Sequence, residues 1–161
     1  MFDDAQCRFL LPGEMHLTDS PMMINTVLGS CISVTMYSKK HTLSMICHSM
    51  LPNSSETFRT DENIFKYTDG SIICMHDILQ RYKIPQNSVE VKLFGGSDMF
   101  SSAPGTVTVG QKNIDTATTL LNKLNYSIKA KDIGGQFTRK LYFSTDSGIV
   151  YIRKISKLKG V

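Results

Sequence analysis

A cysteine and a histidine are the residues of this sequence whose types and spacing could together do covalent chemistry. The stretch TVLGSCISV, residues 26–34, sets Cys31 behind a Gly-Ser pair at the mouth of an apolar run, and ICHSMLP, residues 46–52, brings His48 seventeen residues later. A free thiol, with a pKa near about 8.5, is mostly protonated at neutral pH; a neighbouring imidazole takes its proton and later returns it to a leaving group. That is nucleophilic acyl transfer. The bland alternative is two core residues, since buried cysteine is common and a lone histidine is more often structural.

Strand pairing is the element that would bring the two together. If residues 32–37 and 42–50 form a hairpin with Lys39-Lys40 at its tip, opposed residues have numbers summing to 79, which sets Cys31 against His48. Opposed side chains share a face, with Cβ atoms about 4.5–5.5 Å apart. The same alternation turns Cys47 to the other face with Met45 and Leu51, as packing. Gly29 has no Cβ and lets the chain bend ahead of Cys31, where bare backbone N–H groups suit an oxyanion.

Other candidate sites are weaker. Cys31, Cys47, His48, Cys74 and His76 contain no C-x-x-C or H-x-x-x-H spacing, so no metal is expected. Gly95 and Gly96 in FGGSDMF lack a following Gly-Lys-Ser/Thr and read as a strand-end turn rather than a phosphate loop. His41 and His76 read as surface or structural residues. The nine methionines read as core filler.

The elements that must hold the pair alternate between periods of two and 3.6. Strand-like runs cover residues 26–37, 42–50, 89–94, 127–133, 139–144 and 149–155, the last two joined by Asp146-Ser147-Gly148 as a hairpin. Residues 61–82 carry a helical stripe with Asp61 as cap and Gly70 as a weak point. Residues 113–124 carry a cleaner one, with Asn113 as cap and Ile114, Ala117, Leu120, Leu121 and Leu124 on one side. Helices set between hairpins predict an α+β fold.

Composition bounds the rest. With 161 residues and 41% apolar side chains, one domain over residues 1–161 can bury its core without staples. No apolar run reaches the roughly 18 residues of a membrane span, and the start MFDDAQCRFL is acidic where a signal peptide is basic, so a cytoplasmic protein without membrane insertion is expected. Cys7, Cys31, Cys47 and Cys74 read as free thiols. Residues 121–161 hold nine Lys/Arg against two Asp, a balance suited to an acidic protein partner. No nucleic-acid motif accompanies it, so no nucleic acid is expected.

In order along nearly the whole chain, TVLGSCISV, CHSMLP, VKLFGGSDMF and VGQKNIDTATTLLNKLNYSIKAKDIGGQFTRKLYF resemble the CheD family of chemoreceptor glutamine deamidases. The resemblance implies a β-sandwich of mixed sheets flanked by helices, similar to the catalytic domain of the cytotoxic necrotizing factor toxins. It implies a cytoplasmic cysteine amidohydrolase of chemotaxis that needs no metal or cofactor. The family nucleophile falls on Cys31 and its histidine on His48. The third member, a threonine ahead of L-G-S-C, falls on Thr26, with Asn25 as the other choice. The implied substrate is a glutamine on the cytoplasmic helices of methyl-accepting chemoreceptors, with glutamyl methyl esters as a side activity. A CheC-type phosphatase is the implied second partner, and a regulatory module that binds it without catalysis is the rival reading. A generic cysteine amidase or protease is a third.

Overall fold

The computed structural model describes residues 6–54, 61–100 and 103–156, apart from the side chains of residues 61–63. Strands β1 (Cys7–Phe9), β3 (Met23–Leu28), β8 (Phe137–Ser144) and β9 (Val150–Ser156) make a four-stranded sheet in the order β1-β3-β8-β9. Strands β2 (Met15–Thr18), β4 (Ile32–Ser38), β5 (Leu43–Cys47), β6 (Glu90–Gly95) and β7 (Ile128–Ile133) make a five-stranded sheet in the order β2-β5-β4-β6-β7. Both sheets are mixed, because β1–β3 and β6–β7 pair in parallel and the other neighbours antiparallel.

Two apolar layers follow from strand alternation. Even residues of β4 (Ile32, Val34, Met36) and odd residues of β5 (Leu43, Met45, Cys47) face helices α1 (Thr68–Arg81) and α2 (Val109–Lys123), whose Ile72, Met75, Leu79, Ile114, Ala117 and Leu121 complete that layer. The opposite faces meet the other sheet, where Tyr37, Ile46 and Phe94 pack on Ile24, Leu28, Leu141 and Phe143. The architecture is therefore a sandwich of two mixed sheets with both helices on one side, within the α+β class that the sequence predicts.

Three expectations are corrected. The run over residues 26–37 is two strands in two different sheets: β3 ends at Leu28, and the chain crosses through Gly29-Ser30-Cys31 to start β4. A continuous apolar run cannot reveal such a crossing, because both halves are buried and both read as strand. Residues 61–82 are not one helix. A 3₁₀ turn (Asp61–Lys66) stops at extended Tyr67, and α1 begins at Thr68 with no side-chain cap. Gly70 is where the two pieces touch, since a Cβ there would lie 2.6 Å from the Ile64 carbonyl oxygen. The Asp61 side chain lies outside the described residues. Asn113 is not a cap either: Thr108 caps α2, its hydroxyl accepting from the Gln111 N–H at 3.2 Å. Edge strands β1 and β2 escaped the sequence reading because neither alternates between buried and exposed positions.

The β4–β5 register also differs. Residues 39–42 form the turn, with the Thr42 N–H donating to the Lys39 carbonyl at 3.2 Å and Thr42 held at φ 48°. A four-residue turn in place of a two-residue tip makes paired numbers sum to 81, as in Thr35 with Ile46 and Met36 with Met45. The shift is two residues, so every side chain keeps its face but changes its partner. The β8–β9 hairpin, by contrast, forms as expected, with its turn seated on Tyr37, whose hydroxyl donates to the Asp146 carbonyl at 2.8 Å.

Candidate active site

The site lies between the sheets, where the crossing from β3 to β4 passes the end of β5. Thr26 is the inward residue of β3, fully buried, and its hydroxyl lies 2.7 Å from His48 Nδ1 and 2.7 Å from the Leu10 carbonyl oxygen. Its single proton is engaged by Leu10, so its oxygen accepts from the imidazole. This places the ring proton on Nδ1 and the lone pair on Nε2. Asn25, one residue earlier, points to the other side of β3, where its amide donates to the Arg8 carbonyl at 3.3 Å. Alternation decides between the two: only Thr26 meets His48.

His48 is held at both backbone atoms. Its N–H donates to the Glu14 carbonyl at 2.9 Å and its carbonyl accepts from Gly13 at 2.8 Å. The ring is 2% exposed, and burial drives its pKa from 6.5 down to about 4. Nε2 is one of two buried side-chain polar atoms, among the described residues, without a hydrogen-bond partner. A neutral imidazole with a bare lone pair is a proton acceptor.

Cys31 is not directly opposite His48, which corrects the register argument. Ile32 and Ser49 exchange both backbone hydrogen bonds, 2.9 and 2.8 Å. Continuing that ladder one step to each side sets Ser33 against His48 and Cys31 against Met50. Cys31 and His48 are thus diagonal neighbours on the inter-sheet face, where the half-buried Cys31 packs on the core. Diagonal neighbours are about 7–8 Å apart at Cα, within reach of a long side chain such as imidazole. Burial pushes the Cys31 thiol up, so thiol and imidazole are both neutral at rest. Cys47 faces the helices, away from His48, as alternation requires.

The bend at Cys31 is made possible by a glycine other than the expected one. A Cβ on Gly29 would meet only Met99, at 3.4 Å, an ordinary contact. Gly95, paired with Ile32 across the sheet, has φ 103°, and a Cβ there would lie 2.2 Å from the Cys31 carbonyl oxygen. That oxygen accepts from the Gly96 N–H at 2.8 Å, and the Ser97 N–H donates to the Gly29 carbonyl at 3.0 Å. The glycine pair is therefore the backbone ledge under the cysteine loop, not a phosphate loop. Among the described residues, neither the Ser30 nor the Cys31 N–H donates to a protein acceptor.

Two positioning groups escaped the sequence reading. Asn113 is fully buried on α2; its amide nitrogen donates to the Ser30 carbonyl at 2.9 Å and the Met50 carbonyl at 3.1 Å, and its oxygen accepts from Thr68 at 3.3 Å. It ties the loop before Cys31 to the segment after His48. Arg139 is buried and donates to Asp132 at 2.9 and 3.1 Å, to the Gly134 carbonyl at 2.7 Å and to Ser97 Oγ at 2.6 Å. Through Ser97 it braces the Gly29 carbonyl. An asparagine four residues after a helix start reads as a cap, and an arginine in a basic segment reads as surface; only long-range contacts reveal either role. Replacing Asn113 with alanine leaves the Ser30 and Met50 carbonyls without this donor and is expected to cost about 2–3 kcal/mol, read from the urea midpoint.

His76 Nδ1 lies 2.7 Å from the Tyr126 hydroxyl, and His41 Nδ1 lies 3.0 Å from Ser38 Oγ, so both histidines have structural partners. Among the described residues no three His, Cys, Asp or Glu side chains converge as metal ligands, and no helix is long and apolar enough to cross a membrane. The basic C-terminal stretch is partly neutralised: Lys129 pairs with Glu90, and Arg139 and Lys154 share Asp132. Lys140 and Arg153 face each other across the β8–β9 ladder. Lys157 and Lys159 lie outside the described residues.

Comparison with known proteins agrees with the motifs. The CheD family, described as CheD chemotactic sensory transduction, matches residues 50–154, a span that begins just after His48. The earlier part is covered by whole-length relatives. "Probable chemoreceptor glutamine deamidase CheD 2" of Geobacter sulfurreducens is 37% identical over 149 residues, 92% of this chain and 90% of the relative. "Probable chemoreceptor glutamine deamidase CheD" of Maridesulfovibrio salexigens is 33% identical over 161 residues, 96% and 95% of the two chains. A relative of that name from Methanococcus maripaludis is 30% identical over 149 residues, 92% and 96%. The chain belongs to the CheD family.

Proposed function

We propose that this protein is a chemoreceptor glutamine deamidase in which Cys31 is the nucleophile, His48 the base and acid, and Thr26 the residue that positions His48. The observation that carries the reading is the bare Nε2 lone pair of a buried, neutral His48, fixed by Thr26 on the face shared with Cys31. Nε2 takes the Cys31 proton as the sulfur attacks the carboxamide carbon of a receptor glutamine. The Ser30 and Cys31 N–H groups receive the oxyanion. The protonated imidazole gives its proton to the amide nitrogen, ammonia leaves, and a thioester remains on Cys31. Water then attacks the thioester, loses a proton to Nε2, and glutamate departs as Cys31 is reprotonated. No step calls for a metal or cofactor.

Because both groups are neutral at rest, the thiolate forms together with attack rather than as a standing ion pair. Thr26→Val keeps the shape of the side chain and removes the acceptor for Nδ1–H. It is expected to lower kcat about 10-fold to 100-fold with KM little changed, because the ring then loses its fixed tautomer. Steady-state assays on receptor, run below the melting midpoint of the variant, check this; the midpoint itself falls, because the Leu10 carbonyl loses its buried donor.

The substrate side chain is presented on a receptor helix in the cytoplasm, and the Lys140–Arg153 pair on the outer face of the four-stranded sheet supplies charge that favours an acidic partner. A CheC-type phosphatase would compete for the same approach. The decisive experiment is mass spectrometry of chemoreceptors co-expressed with the protein. Defined glutamines gain about 1 Da with the wild type and none with Cys31→Ala. Equal modification by the Cys31→Ala protein would overturn Cys31 as the nucleophile, and no gain with the wild type over cells that lack it would favour the binding-module reading.

A further inference from the structure

Ser33 belongs to none of the roles above, yet it is the second of the two unpartnered buried polar atoms. Its Oγ and His48 Nε2 are the two buried side-chain polar atoms that lack a partner among the described residues, one from β4 and one from the residue that follows β5. Side-chain hydroxyls and imidazole nitrogens buried in an apolar layer are nearly always hydrogen-bonded. Here both exceptions fall at one place.

The register explains why. Ile32 and Ser49 exchange both backbone hydrogen bonds, and the β4–β5 ladder runs in the same register from Thr35 with Ile46, so between the two Ser33 falls opposite His48. Ser33 lies two residues from Cys31 and on the same face, with Tyr37 further along that face in the inter-sheet core. Cys31, Ser33 and His48 thus outline three corners of one small patch. The patch is shielded from bulk solvent at Ser33 and His48, both more than nine-tenths buried, and opens at the half-buried Cys31.

From this arrangement we infer that Ser33 Oγ and His48 Nε2 together hold the water that hydrolyses the Cys31 thioester, which makes Ser33 a water-positioning residue. The water donates one hydrogen to Nε2 and the other to Ser33 Oγ, which leaves its lone pairs for the carbonyl carbon. As the oxygen bonds to that carbon, its proton passes to Nε2. The C–S bond breaks with its electron pair on Sγ, Sγ takes the proton back from Nε2, and the acid product loses its proton to solvent. Two orphaned polar atoms are satisfied by one molecule, as buried waters commonly do.

The inference rests on the Cys31–His48 reading, and the experiment separates the two. Wild type and Ser33→Ala are mixed with the glutamine-bearing cytoplasmic fragment of a chemoreceptor, quenched in acid and weighed intact. Ser33→Ala is expected to lower kcat about 10-fold and to accumulate a thioester on Cys31. Hydroxylamine, a strong nucleophile that does not depend on the water site, should restore release as hydroxamate. Alkylation of Cys31 by iodoacetamide should proceed at the wild-type rate, and the melting midpoint should not fall, because the change deletes an unpartnered buried hydroxyl. Wild-type turnover in Ser33→Ala with no thioester would overturn the water site alone. Slowed alkylation with a lowered melting midpoint would make Ser33 structural and overturn it equally. Turnover that yields no hydroxamate when hydroxylamine is present, in wild type and Ser33→Ala alike, with no Cys31 adduct in either when it is left out, would overturn the nucleophile assignment and the water site with it.

Discussion

Replacing His48 with glutamine is expected to lower deamidation by about 10³-fold while leaving the fold intact, because proton transfer by a placed base contributes on the order of 10²- to 10⁴-fold. The substitution also removes an acid-sensitive element of stability. Burial holds the folded imidazole at a pKa of about 4, against 6.5 for the free group. As pH falls below 6.5 the unfolded chain binds a proton that the folded chain refuses until about pH 4. Stability from this group is therefore complete above that window, declines through it, and levels off below about pH 4. The full loss is about 3 kcal/mol, with about 2 kcal/mol already gone at pH 5. Urea midpoints at pH 7 and pH 5 should show a smaller pH difference in His48→Gln than in the wild type. Equal differences would mean that the ring is accessible to protons in the folded state. The acid limb of wild-type kcat/KM is expected near pH 4 rather than 6.5, since the base form persists to that pH.

The second large effect is expected from Gly95→Ala, a change of one methyl group at a residue that does no chemistry. At φ 103° an L side chain is strained, and its Cβ would sit 2.2 Å from the Cys31 carbonyl oxygen, a backbone atom that cannot rotate away. Backbone strain of about 1–3 kcal/mol and overpacking of about 1–3 kcal/mol both apply, so a loss of about 4 kcal/mol is expected. Relief requires β4 to move from β6 at Ile32, which displaces Cys31 from His48. Activity should therefore fall further than stability alone predicts, even at a temperature where the variant is folded. Gly29→Ala is the control, because its Cβ would make only an ordinary contact with Met99. If Gly29→Ala proved the more damaging change, the ledge under Cys31 would be misassigned.

The two predictions differ in how they could be foreseen. His48 was legible as a chemical type beside Cys31, whereas the weight carried by Gly95 comes from its approach to a residue 64 positions earlier. Asn113 and Ser33 are of the second kind. Asparagine near a helix start has a local explanation, capping, and serine in a strand has none. Their hydrogen-bonding positions depend on which loop or strand lies opposite, and that is a property of the packed sheets.

The sequence by itself determined the α+β class, the apolar stripes of α1 and α2, the β8–β9 hairpin and the chemical pair. Each of these follows from local periodicity, turn chemistry or residue type, together with motifs that resemble one family. The parity of the strands was also determined, which is why Cys31 and His48 shared a face even with the register off by two. Only the tertiary structure decided that β3 and β4 belong to different sheets and that Thr26, not Asn25, meets His48. It alone brought Ser33 to the face shared by Cys31 and His48, and it engaged three cations of the basic tail, Lys129, Arg139 and Lys154, with carboxylates. Register follows from a four-residue turn whose strained Thr42 no propensity predicts, and sheet assignment follows from burial on both faces, which looks alike in sequence. Periodicity tells a side chain which way to face, and packing alone tells it what it will meet.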